Sequence, residues 1–531
     1  MKFSSIYRIF ALLLCLCLLW GCGADPGGES GYEDSAEPGV STDESFADSG
    51  YESVADIAEL KDYVWGMKSF TAADGTLCPT GISVNSENAA LKARVEALFD
   101  AGDTALTLSL DESFTVEGVA DPLVAQAYKI EVGDSLAVTA RTEAGLYYGA
   151  RTVSDYIAVQ GGMNKGVYLD WPDVDERCLH FDIARKYYEK DFIIGMIEQA
   201  AAMKLNAVEL HFSENEGFRI ECETEPAIVS DKYLTKDEVR EILAAAKELY
   251  VEIIPSFDSP GHLMQALSVH PEYTLTDVDG YNSPKTLDIT NPKAVAYIKS
   301  LLDEYAELFS ECKKFNIGGD ESFGWSDVSR MQFSAWKVLE NYAKATYGEG
   351  ANAHDAFVGY INDIADHMMK KGFTVRAWND GLMRTRGQAA VVKPDPDIEI
   401  CYWTTGGALR ADGVDAFIEA GHRVYNVNEG FVYYVLKEDF EQPSAKEIWK
   451  DWDGAVFTDG EADYKSPEEL GDRLAGAYFC IWSDKPNTQT SSQVKKDSAR
   501  AMAALAVKSW STKPQISYTD FTAQFKKLIE G

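Results

Sequence analysis

The run Phe315-Asn316-Ile317-Gly318-Gly319-Asp320-Glu321 sets two adjacent carboxylates directly after an apolar strand and a pair of glycines. Aromatic and β-branched residues carry a strand, and glycines let the backbone turn sharply or approach a ligand closely. Two neighbouring acids in a dry site cannot both rest as anions. One of them holds its proton near neutral pH and becomes a general acid, the group needed to protonate the leaving oxygen of a glycosidic bond. A bare Gly-Gly-Asp-Glu is also what a solvated acidic loop looks like, so the case depends on what else the chain brings to the same place.

From about Asp175 onward, strand and helix patterns alternate. Candidate strands are Leu179–Ile183, Ala207–Phe212, Glu252–Phe257, Lys314–Ile317, Thr374–Trp378, Ile398–Trp403, Arg423–Val427 and Tyr478–Trp482, with amphipathic helices such as Phe192–Met203 and Thr235–Leu249 between them. Eight such units over about 300 residues predict an α/β fold of the TIM (β/α)8 barrel type, whose site lies at the C-terminal ends of the strands. Polar and aromatic residues collect at those ends. Asp182 and Arg185 follow the first strand, Ser213 to Arg219 the second and Asp258 to His262 the third. Asp320 and Glu321 follow the fourth, then Trp378 with Asp380, Trp403, the Tyr433-Tyr434 pair, and Trp482 with Asp484. Three tryptophans at strand ends suit the apolar face of a pyranose better than a barrel core, which prefers branched aliphatics.

Together Asp182-Ile183-Ala184-Arg185, His211 to Arg219, Asp258 to His262, Gly318-Gly319-Asp320-Glu321, Trp378-Asn379-Asp380 and Ile481-Trp482-Ser483-Asp484 resemble glycoside hydrolase family 20, the β-N-acetylhexosaminidases and lacto-N-biosidases. The resemblance implies substrate-assisted catalysis, in which the 2-acetamido oxygen of the sugar attacks its own anomeric carbon. It implies Glu321 as general acid and then base, and Asp320 as the acceptor that orients the acetamide N–H. A hydroxyl of Tyr434 or Tyr433 would hold the acetamide oxygen, the sequence not deciding between them. Arg185 and Asp484 would bind ring hydroxyls, and Trp378, Asp380, Trp403 and Trp482 would line the sugar site. His262 and Glu214 would form a relay to Glu321. No metal or organic cofactor is implied.

The chain departs from the family pattern at Asn316, where His is common, at Glu214, where Asp is common, and at Phe218, where Trp is frequent; the Tyr-Leu-Asp expected after the seventh strand is absent. These departures bear on the relay and the subsite shape. The expected activity is exo-cleavage of terminal β-linked N-acetylglucosamine or N-acetylgalactosamine with retention. The alternatives are release of a disaccharide, as by a lacto-N-biosidase, and a catalytically dead amino-sugar-binding lipoprotein.

Residues 1–22 read as an export signal ending in Leu19-Trp20-Gly21-Cys22, which resembles a lipoprotein processing site with Cys22 as the acylated residue. The chain is therefore expected at a bacterial cell surface, touching the membrane only through this anchor, or else secreted. Residues 23–53 are Gly-, Ser- and acid-rich and have too few apolar residues to bury a core, which predicts a disordered tether. Residues 54–170 alternate as short strands with one helix from Gly145, a small α+β accessory domain. Residues 171–531 make the barrel and a C-terminal helix. With 86 acidic against 49 basic residues, the formal charge of -37 argues against nucleic acid and anionic membrane surfaces as partners. The glycan is the expected partner. Six cysteines beyond the signal lie as scattered singles, without disulfide or metal spacing.

Overall fold

The computed structural model describes residues 63, 65–322, 330–383, 391–405, 411–457 and 466–529, with residues 330–334 described in backbone only. Cys22 and the tether lie outside the described residues. The first sheet is mixed and six-stranded. It is built from β1 (Ser69–Leu77), β2 (Ile82–Asn85), β3 (Thr104–Leu110), β4 (Tyr128–Val132), β5 (Leu136–Ala140) and β6 (Met163–Asp170), in the order β1-β6-β4-β5-β3-β2. The helix Glu143–Gln160 covers one face, capped by Thr142, whose side chain accepts from Gly145 N.

The barrel starts at β7 (Glu176–Asp182) and continues through β8 (Ala207–Ser213) and β9 (Glu252–Phe257). A two-stranded ribbon of β10 (Thr274–Thr276) and β11 (Asn282–Leu287) follows β9. The barrel then resumes with β12 (Lys314–Asn316), β13 (Thr374–Trp378), β14 (Glu399–Tyr402) and β15 (Val424–Asn426). β16 (Tyr433–Val435) and β17 (Leu474–Trp482) complete the set. All barrel pairings are parallel, and β15 pairs with β17, so β7, β8, β9, β12, β13, β14, β15 and β17 close an eight-stranded barrel. Helices such as Lys190–Ala202, Lys236–Glu248, Pro292–Leu308 and Ala353–Met369 separate the strands, the crossover that parallel neighbours require. The fold is the predicted one, a TIM-like barrel preceded by a mixed-sheet domain.

The first and last strands begin earlier than the apolar pattern indicated. β7 opens on Glu176-Arg177, charged residues that look unsuited to a core; Glu176 meets Arg376 and Lys314, and Arg177 donates to the carbonyls of Lys204, Val174 and Asp175 and to Gln126 Oε1. β17 opens on Leu474-Ala475-Gly476-Ala477, and Gly476 is required there: a Cβ would lie 2.6 Å from Glu176 O and 2.9 Å from the Tyr425 ring.

The mixed sheet and the barrel share one core. Trp510, ending the long helix Ser491–Trp510, meets Tyr148 edge-on with ring centroids 5.5 Å apart and donates to Asp170 Oδ2 at 2.8 Å. Lys204, between the helix Lys190–Ala202 and β8, is wholly buried, donates to Tyr128 OH and Thr152 Oγ1, and sits 4.2 Å over the Trp510 ring. The cation is thus solvated by aromatic faces and hydroxyls.

Candidate active site

The strand ends deliver the expected side chains to one place. β12 stops at Asn316, whose side chain accepts from Gly318 N, and the backbone turns through Gly318 (φ +77°) and Gly319 (φ +100°) into the acid pair. Gly318 cannot carry a side chain, since a Cβ would lie 2.3 Å from Asp258 Oδ1. Glu321 is itself left-handed at φ +45°, and His262 at φ +57°. Non-glycine residues held there mark a backbone constrained by its surroundings. Glu321 N donates to Asp380 Oδ2 at 2.9 Å, which fixes the turn from β13.

The two acids differ in environment. Glu321's side chain is 47% exposed, facing the mouth, whereas Asp320's is 14% exposed and its Oδ1 is buried without a hydrogen-bond partner. Burial pushes the Asp320 carboxyl up to about 7; His262 opposes the rise, and Asp380 and Glu321 add to it. A buried acceptor with no donor is rare in a finished fold and fits a ligand N–H.

His262 stands between three acids. Its Nδ1 lies 2.6 Å from Glu214 Oε1, and its Nε2 lies 3.6 Å from both Asp320 Oδ2 and Glu321 Oε2. Burial works against the imidazolium, yet Glu214 and Asp320 hold the His262 pKa well above its usual value. Burial likewise raises Glu214, but His262 and Arg185 outweigh it and bring the carboxyl down to about 2. The loop carrying His262 is secured by the ribbon: Leu287 N donates to Pro260 O, and Leu263 N to Lys285 O.

Arg185 is anchored from two strands. It donates to Asp182 Oδ2 at 3.0 Å and to Glu214 Oε1, and its guanidinium lies 5.4 Å from the Trp482 ring centre. Asp182, at the end of β7, also accepts from the backbone N of Ala184, Arg185 and Ser483, which ties β7 to β17. Its bracing role had no signal in sequence beyond its place after a strand. Asp484 lies exposed on the rim, its carboxyl raised by burial of its surroundings while Arg185 pulls the other way.

Trp378, Trp403, Trp482 and Tyr433 pack together, with Trp378 wholly buried in a core cluster. Trp378 and Trp482 lie with ring centroids 5.9 Å apart, and Tyr433 is 5.9 Å from Trp482 and parallel to Trp403 at 6.1 Å. The seventh strand is interrupted: after β15 a helical turn, Glu429–Val432, intervenes, and β16 resumes alongside β17 with Tyr433 opposite Cys480. Alternation along β16 then turns Tyr433 into the barrel mouth and Tyr434 away from it. The Tyr434 hydroxyl pairs with Gln489 at 3.0 Å.

Asp380 sits behind two of the expected residues. It is fully buried, accepts from Trp403 Nε1 at 3.1 Å and from Glu321 N, and so braces two site residues from behind. Phe218 lies in the core, edge-on to Phe212 and Phe257, away from the sugar site. Asn316 is buried on the barrel axis and donates to Glu209 Oε1 at 2.9 Å. Among groups able to hold a cation, His211, Glu214 and Asp258 bring ligand atoms within 4.8 Å of one another. The six described cysteines are free.

Comparison with known proteins agrees with this geometry. Over 487 residues the chain is 27% identical to a lacto-N-biosidase of Bifidobacterium bifidum, covering 89% of this chain and 41% of that protein. It is 27% identical over 365 residues to beta-hexosaminidase subunit A2 of Dictyostelium discoideum, covering 66% and 59%. The chain thus spans less than two thirds of the length of these curated relatives. In fold it resembles a chitobiase of Flavobacterium johnsoniae, with TM-score 0.66 and 19% identity over 88% of this chain and 72% of that one. It also resembles a beta-N-acetylhexosaminidase of Bacteroides fragilis, with TM-score 0.65 and 17% identity over 87% and 94%. Residues 176–513 match the glycosyl hydrolase family 20 catalytic domain, and the chain belongs to that family.

Proposed function

We propose that the chain is a retaining, substrate-assisted glycosidase that removes terminal β-linked N-acetylhexosamine from glycans. The observation that carries the reading is the orphaned Asp320 Oδ1, buried next to Glu321 and beside a wall of Trp378, Trp482 and Tyr433. An acetamide seated there gives its N–H to Asp320 and its carbonyl oxygen to the anomeric carbon, while the Tyr433 hydroxyl holds that oxygen in line. The new C1–O bond forms as the aglycone C1–O bond breaks, and Glu321 gives its proton to the departing oxygen. Asp320 stabilises the positive charge spread over the oxazolinium ring. Glu321 then takes a proton from water, which opens the ring and restores the amide with retained configuration. Because the nucleophile belongs to the substrate, the chain supplies orientation and two carboxylates.

A second reading, release of a lacto-N-biose disaccharide, is favoured by the similarity to a lacto-N-biosidase across 89% of the chain. It requires that the rim between Arg185 and Asp484 admit a second sugar. Aryl β-N-acetylglucosaminide and aryl β-lacto-N-bioside, tested side by side on the chain from residue 23, separate the two. Release from the monosaccharide alone supports the first, and from the disaccharide alone the second. A substrate with a 2-hydroxyl in place of the acetamide should remain uncleaved; its turnover would call for a nucleophile from the protein. We also propose export with acylation at Cys22, which labelling with a fatty-acid analogue in native and C22A chains tests.

A further inference from the structure

Beneath the reacting acids lies a second cluster that the hydrolysis does not use directly. His211 lies two residues before the end of β8, Asp258 follows β9, and Glu214 follows β8; all three are buried. His211 Nε2 lies 3.6 Å from Asp258 Oδ2, and both His211 Nε2 and Asp258 Oδ1 lack a hydrogen-bond partner. The other imidazole nitrogen, His211 Nδ1, is 3.1 Å from Ser256 Oγ. Where Ser256 accepts that proton, the Nε2 lone pair faces the carboxylates. Glu214 is oriented in turn by the backbone N of Asn215 on Oε2. An imidazole with its far nitrogen bound and its near nitrogen aimed at two acids is how a metal ligand is prepared.

We propose that His211, Glu214 and Asp258 form a site for a borderline-soft divalent cation of the Zn²⁺ class, and that occupancy shuts the enzyme off. One nitrogen and two oxygen donors suit Zn²⁺ or Co²⁺ better than Mg²⁺ or Ca²⁺, which take oxygen ligands in greater number. The ligand atoms lie within 4.8 Å of one another; tetrahedral coordination at about 2.0–2.1 Å draws them to about 3.3 Å apart, a side-chain adjustment. Two carboxylates and a neutral imidazole balance the double charge. Glu321 and Asp380 lie nearby beside the cations Arg185 and His262, and a bound cation displaces the proton that burial favours on Asp258. The cost falls on Glu214 Oε1, which His262 and Arg185 now share. A cation that takes this oxygen displaces His262 from Glu214 and removes the support it gives Glu321. The inhibitory half rests on the function proposed above; the binding half does not.

The test is Co²⁺ titration of the metal-free full chain, followed by visible d–d absorption, with Zn²⁺ inhibition of aryl-glycoside hydrolysis measured in parallel. Saturating absorption at one ion per chain is expected, and Zn²⁺ should inhibit reversibly with respect to EDTA. H211N and D258N should weaken Co²⁺ binding by more than about tenfold. The surface histidine His270, paired with Glu225 and Glu272, is controlled for by H270N, which should change nothing. Should H211N or D258N fail to fold, ¹¹³Cd NMR of the native chain reports a mixed nitrogen–oxygen ligand set directly. Absent Co²⁺ bands, bands retained in H211N, or an all-oxygen ¹¹³Cd shift would each overturn the site. Co²⁺ bands on a chain that hydrolyses no aryl glycoside would sink the functional reading and leave the site standing.

Discussion

At the lower end of the barrel Arg376 gives two hydrogen bonds to Glu176, at 2.9 and 3.2 Å, and lies 4.1 Å over the Tyr425 ring. Glu209 accepts from Asn316 and Tyr478, and Glu399 from Tyr425 and Arg423. Every carboxylate oxygen of Glu176, Glu209 and Glu399 therefore has a donor. At the mouth, Asp320 Oδ1, Asp258 Oδ1, His211 Nε2 and the indole nitrogens of Trp378 and Trp482 have none. Both ends bury charged groups, so burial alone does not mark a site. The difference is one of degree: the three glutamates of the lower end have a donor at each carboxylate oxygen, whereas the mouth gathers several unpartnered polar atoms in one place, though Asp170 Oδ1 and both ring nitrogens of His180 are unpartnered outside it. The lower end has its own exception in Arg376 Nε, which is unpartnered.

The largest effect expected from breaking this contrast comes from Glu321→Gln. Hydrolysis of substrates with poor leaving groups should fall by about 10²–10⁴-fold, with amino-sugar binding retained in calorimetry; near-normal turnover would remove Glu321 as the acid. Next comes Arg376→Met at the other end. It removes both hydrogen bonds from Arg376 to Glu176 and the positive charge facing Glu209 and Glu399, and should cost about 3–5 kcal/mol in urea denaturation, while the folded fraction keeps its KM. A stable variant with altered KM would erase the distinction between the two ends. Tyr433→Phe and Tyr434→Phe then test the mouth at finer grain. The first removes a donor to the developing charge and should lower kcat by about 10²–10³-fold; the second loses only the Gln489 contact and should leave kcat unchanged. Equal effects would mean that the register of β16 does not select the working tyrosine.

Much of this contrast was legible in the chain before folding. Barrel strands end where polar residues begin, and the acid pair, the three tryptophans and Arg185 each stand directly after an apolar run, so local pattern suffices to find them. The choice between Tyr433 and Tyr434 was not legible, because it depends on a helical turn that breaks the seventh strand and on a register set by Cys480 in β17. Asp380 reads as a sugar ligand by position and turns out to brace Trp403 and Glu321, since burial depends on neighbours from other strands. Arg376 shows the same limit. A lone Arg inside Thr374–Trp378 carries no sign that three glutamates and two tyrosines from other strands converge on it. Pairing across a barrel joins residues hundreds of positions apart, which periodicity cannot see.

The last test concerns pH and Asp320→Asn. In the folded chain Asp320's carboxyl is pushed up to about 7, chiefly by burial, against about 3.9 for an unfolded aspartate. Between those values the folded chain holds a proton that the unfolded chain has released. The stability this contributes is complete below about pH 3.9 and is lost as pH rises through 7. Asn cannot ionise, so the variant escapes the loss and should gain on the native chain as pH is raised from 4 to 8. Asp258 adds to the trend, because Asp320 is among the groups that raise its pKa and removing that charge relieves it. Urea denaturation at several pH values gives the difference directly, and curves that stay parallel from pH 4 to 8 would mean that Asp320 ionises freely in the folded chain. The same proton bears on turnover: an Asp320 that must be an anion to steady the oxazolinium makes kcat/KM fall as pH drops below about 7. An enzyme that loses stability across the range where it gains activity would show that the unpaired charge at the mouth is kept for catalysis at the expense of the fold.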